Sequence, residues 1–230
     1  MTESRGEVLL EELGERIGRD ELTAYLREFA VIASPDRSLT KLHALSGPQV
    51  DLARLDAPEA VLDWLRSWGC RHLRRADTRR SAEALRSWWE HSRSEIPTAG
   101  VPLTDLDLDD IAGLSRAYEA LARLPAAGRT TARGEVDVRF GDTAAAKTLF
   151  AIRPEAVPPW DEPIRVAFGL RVVDAERFAR FLQAVQEAVG GLATRFSVAV
   201  SDLPSALGRP TSSAVKIIDE YLWIRITRGL

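Results

Sequence analysis

Apolar residues recur three and four positions apart along most of this chain, and proline and glycine interrupt the pattern at short intervals. This spacing places apolar side chains on one face of an α-helix, and that face must be buried against other elements. One such stripe comprises Leu22, Tyr25, Leu26, Phe29 and Ile32. Val136 and Val138 alternate with charged residues, but over too short a span to indicate a sheet. The sequence therefore predicts an all-α protein.

A proline-containing segment in the middle of the chain suggests two lobes. The chain has 230 residues, of which 45% are hydrophobic, so it is long enough to bury a large core and enclose a cleft. Residues 94–104 contain two prolines, a glycine and no periodicity, which is typical of a linker. We expect an N-terminal helical lobe, residues 1–96, that contributes helices to a core shared with a second lobe, residues 97–230.

The chain contains one cysteine, Cys70. A single cysteine excludes an intramolecular disulfide and any metal or iron–sulfur site built from cysteines alone, and it suits a reducing compartment. We therefore expect no cofactor and no metal. No apolar run approaches membrane-spanning length, and the N-terminus lacks the basic and apolar regions of a signal peptide. These features predict a cytoplasmic protein without a membrane partner.

Residues 71–93 form the one strongly basic segment of a chain whose formal net charge is -3. Contact with a nucleic-acid backbone requires a local excess of Lys and Arg. The candidate phosphate contacts in this segment are Arg71, Arg74, Arg75 and Arg79. One interpretation is a DNA-facing stripe whose neighbours Trp88 and Trp89 stack on bases. The other is a solvated helix face whose tryptophans fill the core.

The segment from Arg139 to Arg165 begins with a glycine turn that leads into a helix. Gly141 permits a positive φ, and Asp142 or Thr143 can cap the helix that follows. Exposed N–H groups at such a helix start also provide a site for a phosphate oxygen. We therefore place Gly141, Asp142, Thr143 and the preceding Arg139 among the candidate phosphate contacts.

A proline-rich loop then places Asp161 at the start of a further helix. The partial positive charge and free N–H groups at a helix N-terminus keep a carboxylate ionised and fixed in direction. Asp161 is then either a catalytic carboxylate facing a cavity, or a helix cap with Trp160 as its hydrophobic staple. In the catalytic interpretation, Trp160 lines the pocket and Arg165, one turn further along, pairs with Asp161.

Several positions in this segment resemble the helix-hairpin-helix DNA glycosylase superfamily, namely Gly141, Ala145, Pro154 or Pro158, Asp161 and Ile164. In that family a hairpin ends in a glycine, continues into an alanine-bearing helix and reaches a catalytic Asp; the interval from Gly141 to Asp161 here is 20 residues. The resemblance implies a similar lobe in this chain. It also implies that Asp161 stabilises the sugar cation as the base leaves, and that the backbone of residues 141–143 holds a phosphate.

The sequence departs from the family pattern at two places. Arg139 replaces the first glycine of the usual hairpin, so the shape of the turn is not implied. Thr143 occupies the place of the Schiff-base lysine of bifunctional members, and a threonine hydroxyl cannot form an imine. The resemblance therefore implies a monofunctional enzyme. Lys147, one helical turn further along, can turn inward and is a further candidate for the pocket.

The resemblance thus implies a DNA-repair hydrolase that binds duplex DNA and cleaves the N-glycosidic bond of a modified or damaged base. Two alternatives stay open. The chain can be a non-catalytic helical module that binds DNA or protein and keeps a degenerate glycosylase fold. It can also be an enzyme that acts on free nucleosides, which suits the acidic net charge better than DNA does.

Overall fold

The computed structural model describes residues 4–32, 37–46, 50–132, 134–170 and 174–229. Helices dominate these residues, and one two-stranded sheet accompanies them. The prediction of a mainly helical protein is therefore confirmed. Among the described residues, no helix combines the length and the apolar character needed to cross a membrane.

Six helices of the described residues precede the sheet and five follow it. The first group comprises α1 (Arg5–Glu15), α2 (Arg19–Ile32), α3 (Arg37–Ser46), α4 (Ala57–Ser67), α5 (Thr78–Ser92) and α6 (Leu108–Arg123). The sheet comprises β1 (Pro125–Thr131) and β2 (Gly134–Arg139). The second group comprises α7 (Gly141–Ile152), α8 (Glu162–Ala167), α9 (Ala175–Phe196), α10 (Leu203–Ala206) and α11 (Ala214–Thr227).

Side-chain caps determine where the long helices α6, α9 and α11 begin. Asp107 before α6, Asp174 before α9 and Ser213 before α11 each accept a hydrogen bond from a backbone N–H three residues ahead. Such bonds satisfy N–H groups that have no partner inside the helix. The caps therefore fix the ends of the helices against which the rest of the chain packs.

Helices from the two ends of the chain pack against each other. Helix α1 lies against α9 and α2 against α11, while α6 contacts both α7 and α9. Helix α4 contacts α3, α5 and α7. Most of the buried apolar side chains of the described residues form one continuous cluster that runs from Leu9 to Leu222. Residues from both expected lobes contribute to this core, and the division between residues 96 and 97 stays a prediction.

The absence of a sheet was expected for the segment after α6, and this expectation is wrong. β1 and β2 form an antiparallel hairpin, with Gly128 opposite Asp137 and Arg129 opposite Val136. Residues 134–137 are exposed on both faces of the hairpin, so the alternation of apolar and polar residues that identifies a half-buried strand is missing. The hairpin joins α6 to α7.

Candidate functional site

A cavity of about 620 Å³ opens where the end of α4, the end of β2 and the starts of α7 and α8 meet. A volume of this size lies within the usual range for small-molecule sites. Seven of the predicted site residues line it, namely Arg139, Gly141, Asp142, Thr143, Lys147, Asp161 and Arg165. Gly141 has φ +76, as the glycine turn predicts, and this turn directs the first residues of α7 into the cavity wall.

Asp161 faces the cavity and does not act as a side-chain cap. It occupies the N-cap position of α8 with an extended backbone, but its carboxylate accepts no capping hydrogen bond. Its Oδ1 instead lies 2.6 Å from Nζ of Lys147, and 37% of the side chain is exposed. The carboxylate is therefore held in direction by a neighbouring ammonium while one side of it remains accessible from the cavity.

Lys147 turns inward from the second turn of α7, as the sequence allowed. Its side chain is only 5% exposed. Besides the pair with Asp161, its Nζ donates to the carbonyl oxygen of Trp68 at 2.7 Å and lies 5.4 Å from the centre of the Trp68 ring. One ammonium thus connects the end of α4 with the start of α8.

The predicted pair between Arg165 and Asp161 does not form. Nη1 of Arg165 lies 3.2 Å from Oδ2 of Asp142 and 3.3 Å from the carbonyl oxygen of Leu170. Asp142 also accepts a hydrogen bond from the Tyr118 hydroxyl at 3.1 Å. The helix α7 begins at Gly141, so Asp142 and Thr143 lie inside its first turn, and the N-cap residue Phe140 makes no side-chain capping hydrogen bond. The prediction of a side-chain cap at Asp142 or Thr143 is wrong.

Tyr118, the partner of Asp142, is fully buried beside the cavity wall. Burial raises the pKa of its hydroxyl, and the nearby Asp142 carboxylate raises it further because it opposes a second negative charge. Tyr118 therefore stays a neutral hydrogen-bond donor, which holds Asp142 at the start of α7.

Trp160 is part of the core and is not among the residues that line the cavity, so its predicted place in the pocket is wrong. Its ring is 0% exposed and packs 4.2 Å from the Phe181 ring and 5.5 Å from the Phe178 ring, measured between centres. Its nearest aromatic partners come from α9, and the Tyr118 ring of α6 lies 6.3 Å away; the local pattern around Asp161 reveals none of them. Asp161 thus lies at the cavity while the preceding tryptophan lies in the core.

The partly exposed aromatic ring at the cavity belongs to Trp68, directly after the end of α4. Its ring stacks on Phe150 with centres 5.9 Å apart, and its Nε1 donates to Oγ of Ser38 at 2.9 Å. These contacts hold the ring at the wall. Trp68 is the C-cap residue of α4 and directly precedes Gly69. This place at the end of the helix indicates a partly exposed ring, which the apolar face of the helix does not indicate.

Cys70 and His72 also line the cavity and were not predicted. Nε2 of His72 donates to the carbonyl oxygen of Phe140 at 2.8 Å, which ties the loop after α4 to the end of the hairpin. Cys70 is 2% exposed, and burial raises the pKa of its thiol to about 11. The loop after α4 is thus a structured wall of the site.

A buried group of charged residues on α11 lies behind the Lys147–Asp161 pair. Nζ of Lys216 is 2.7 Å from Oδ2 of Asp219 and 3.8 Å from Oε1 of Glu220, and it lies 5.6 Å from the Trp68 ring centre. Burial raises the pKa of Asp219 to about 6, and Lys216 opposes this rise. These charged residues lie among the buried apolar residues of α11, and the sequence analysis did not identify them as candidates.

The predicted phosphate contacts on the basic segment fall into two groups. Arg74 pairs with Asp77 at 3.3 Å, and Arg79 pairs with Glu83 at 3.0 Å. Arg71 and Arg75 are exposed and form no ion pair with another described residue. Trp88 and Trp89 are buried, as the structural interpretation predicted, so they are not available to stack on bases.

Among the described residues, no three His, Cys, Asp or Glu side chains are placed to hold a metal ion. The lining of the cavity includes carboxylates, cations and the partly exposed ring of Trp68. No known protein family, curated protein or solved structure matches this chain.

Proposed function

We propose that this protein is a monofunctional glycosylase that hydrolyses the N-glycosidic bond of a modified or damaged base in duplex DNA. The observation that carries the proposal is the Asp161 carboxylate, which faces a cavity of about 620 Å³ and is fixed by Lys147 at 2.6 Å. The family resemblance of the segment from Gly141 to Ile164 supports the same assignment.

The reaction requires one well-placed negative charge. When the bond between C1′ of the sugar and the base nitrogen breaks, the electron pair leaves with the base and positive charge develops on the sugar. A carboxylate beside C1′ stabilises that charge. Water then adds its hydroxide to C1′, and its proton balances the departing base. Asp161 is the carboxylate of this cavity to which we assign the role, since it is both fixed and accessible.

Two neighbours of Asp161 support the reaction in different ways. Lys147 holds the direction of the carboxylate, because its Nζ also donates to the Trp68 carbonyl and cannot easily move. Trp68 provides the aromatic wall on which a base turned out of the duplex can stack. We assign Trp68 the role that the sequence gave to Trp160.

The proposal is tested by the variant Asp161→Asn, with Glu162→Gln as the matched control. Both remove one negative charge from the cavity lining at adjacent positions. We expect Asp161→Asn to lower the rate of base release at least about 100-fold, which is typical of losing one electrostatic contact in a transition state. The control should keep the wild-type rate. Equal rates for wild type and Asp161→Asn would remove Asp161 from the mechanism.

Duplex oligonucleotides that each contain one modified base provide the substrate screen, with abasic sites revealed by cleavage in alkali. A monofunctional enzyme leaves the strand intact until alkali is added, since Thr143 cannot form an imine. Strand cleavage without alkali would contradict this part of the proposal and would direct attention to Lys147.

An enzyme that acts on free nucleosides is a second candidate, favoured by the balance of charge in the cavity. The cations Arg139, Lys147 and Arg165 are matched by the carboxylates of Asp142, Asp161 and Glu162. A balanced lining suits an uncharged ligand better than a phosphate. Release of a base from free nucleosides at a rate that duplex DNA does not exceed would favour this candidate over the glycosylase.

A further inference from the structure

Two lysines place their ammonium groups beside the ring of Trp68, the aromatic wall of the cavity. Nζ of Lys147 lies 5.4 Å from the ring centre, and Nζ of Lys216 lies 5.6 Å from it. Their side chains are only 5% and 6% exposed, so both ammonium groups are largely shielded from water. An ammonium within about 6 Å of an aromatic ring is attracted by the negative charge of its π-system. The Trp68 ring is therefore engaged by two cations of the protein itself.

Lys216 is the one of these two lysines to which the reaction assigns no role. It belongs to α11 and is not among the residues that line the cavity. Its Nζ lies 2.7 Å from Oδ2 of Asp219 and 4.7 Å from the centre of the Phe29 ring. Taking two charges out of water is costly, and a well-packed apolar pair of similar volume is often as stable. Stability alone therefore does not explain an ammonium buried beside Trp68.

The carboxylates that line the cavity are matched by cations. Lys147 lies 2.6 Å from Asp161, and Arg165 lies 3.2 Å from Asp142. The two remaining acidic and strongly basic residues of the lining have opposite charges, namely Arg139 and Glu162. A positively charged ligand therefore finds no excess of negative charge in this lining.

These charges decide which kind of base can stack on Trp68. A base with a positive charge gains by stacking on an aromatic ring, because the π-system attracts the charge. In this cavity the same base would also approach two buried ammonium groups, and like charges repel more strongly where little water separates them. An uncharged base avoids this repulsion and keeps its stacking contact with the ring.

We propose that the cavity selects an uncharged base and excludes a positively charged one, and that Lys216 is a specificity-determining residue which acts through Trp68. The inference rests on the proposed function for the placement of the base on the Trp68 ring. Deamination and oxidation give modified bases without a positive charge, whereas alkylation of a ring nitrogen commonly gives a cation. The substrates are therefore expected among deaminated or oxidised bases.

The test compares isomeric nucleosides by isothermal titration calorimetry at pH 7. 1-Methyladenosine and 3-methylcytidine carry a positive charge at this pH, whereas their isomers N6-methyladenosine and 5-methylcytidine do not. The members of each pair have the same number of atoms in the base apart from one proton, so size does not distinguish them. We expect the uncharged isomer of each pair to bind at least about tenfold more tightly. Equal affinities, tighter binding of the cations, or no binding of any of the four would overturn the proposal.

The role of Lys216 is tested by the double variant Lys216→Met/Asp219→Asn. It removes both charges of the buried pair and leaves Glu220 with Arg209, whose Nη2 lies 2.7 Å from its Oε1. We expect the preference for the uncharged isomer to fall at least about threefold. A purely structural role would weaken the binding of both isomers alike, so an unchanged preference would overturn the role of Lys216.

Two further variants complete the comparison. Glu176→Gln/Arg180→Gln is the matched control, since it removes an exposed pair of α9 that does not line the cavity, and it should keep the wild-type preference. Trp68→Leu keeps both lysines and should weaken binding of the uncharged isomers about tenfold, because the stacking contact is lost. Unchanged binding in Trp68→Leu would overturn the proposal even where the double variant does not fold.

Base release from duplex oligonucleotides separates this inference from the proposed function. The expected preference among nucleosides, without base release from any duplex, supports the selectivity of the cavity and contradicts the glycosylase. Faster release of 7-methylguanine than of uracil or 8-oxoguanine supports the glycosylase and contradicts selection of an uncharged base.

Discussion

Cys70 is the single cysteine of the chain and lines the cavity, so the reactivity of its thiol depends on the structure of the cavity wall. Its side chain is 2% exposed, and both Lys147 and Asp161 act on its thiol electrostatically. Burial raises its pKa from 9.0 to about 11, so less of the reactive thiolate is present at a given pH in the folded protein than in the unfolded chain.

We therefore expect alkylation of Cys70 by iodoacetamide at pH 8 to be roughly 100-fold slower in the native protein than in the denatured protein, from the fall in the thiolate fraction alone. The native rate should continue to rise with pH up to about 11. Mass spectrometry of the modified fraction against time measures both. A native rate equal to the denatured rate would show that Cys70 is exposed and that the loop after α4 is not a closed wall.

The sequence predicted which charged residues lie at the cavity better than it predicted which residues they contact. The places of Asp161 and Lys147 at the cavity follow from their distances in sequence from the glycine turn, because a helix fixes the directions of side chains over a few residues. The choice between Trp160 and Trp68 depends on Phe178 and Phe181, which α9 brings from elsewhere in the chain. The partner of Arg165 likewise depends on how α7 and α8 meet. Such contacts are tertiary, and local periodicity does not determine them.

Helices α1 and α9 approach closely through glycines. A Cβ atom added to Gly191 would lie 2.8 Å from the carbonyl oxygen of Gly14, whereas a Cβ added to the adjacent Gly190 would meet no atom within 4 Å. Both glycines lie in the interior of the same helix and are adjacent in sequence. They therefore form a matched pair that separates backbone propensity from helix packing.

We expect Gly190→Ala to raise the free energy of unfolding by about 0.5–1 kcal/mol, since alanine favours a helix interior over glycine. Gly191→Ala should lower it by about 1–3 kcal/mol, because the added methyl group forces α1 away from α9. Urea unfolding followed by circular dichroism measures both changes. Changes of the same sign in the two variants would contradict the close approach of these helices.

At the scale of elements, the predicted helices around the site are present while the hairpin was missed. The apolar residues of α7 and the prolines before α8 define those helices locally, and Gly141 has the predicted turn conformation. The strands of the hairpin contain alanine, glycine and charged residues, and one of them is exposed on both faces. Strand propensity and alternation are both weak there, so the pairing is visible only in three dimensions.

The whole molecule is held together by contacts between its two ends. Arg225 on α11 forms two hydrogen bonds of 3.1 Å with Glu12 on α1, and Arg195 donates to the Leu13 carbonyl at 2.7 Å. The segment read as a linker is packed as well, since Glu95 pairs with Arg116 on α6 at 2.9 Å. Its prolines and glycine mark an interruption of helical structure, and the packing of the core continues across it.

We therefore expect the full chain to unfold in one cooperative transition, and residues 97–230 alone not to reach the native structure, because α9 and α11 would lose the helices that cover them. Urea curves from near- and far-ultraviolet circular dichroism should coincide for the full chain. A cooperative transition in the isolated 97–230 fragment would contradict the shared core and indicate two independent domains.

Lys147 contributes a further property to the cavity. Its ammonium bonds at once to the backbone of Trp68 and to the side chain of Asp161. A ligand that attracts the Asp161 carboxylate must compete with the Lys147 ammonium. If the ammonium moves, its hydrogen bond to the Trp68 carbonyl is weakened as well. Occupancy of the site should thus be sensed on α4 as well as on α8, and the contribution of Trp68 to the fluorescence of the six tryptophans should change when a ligand binds.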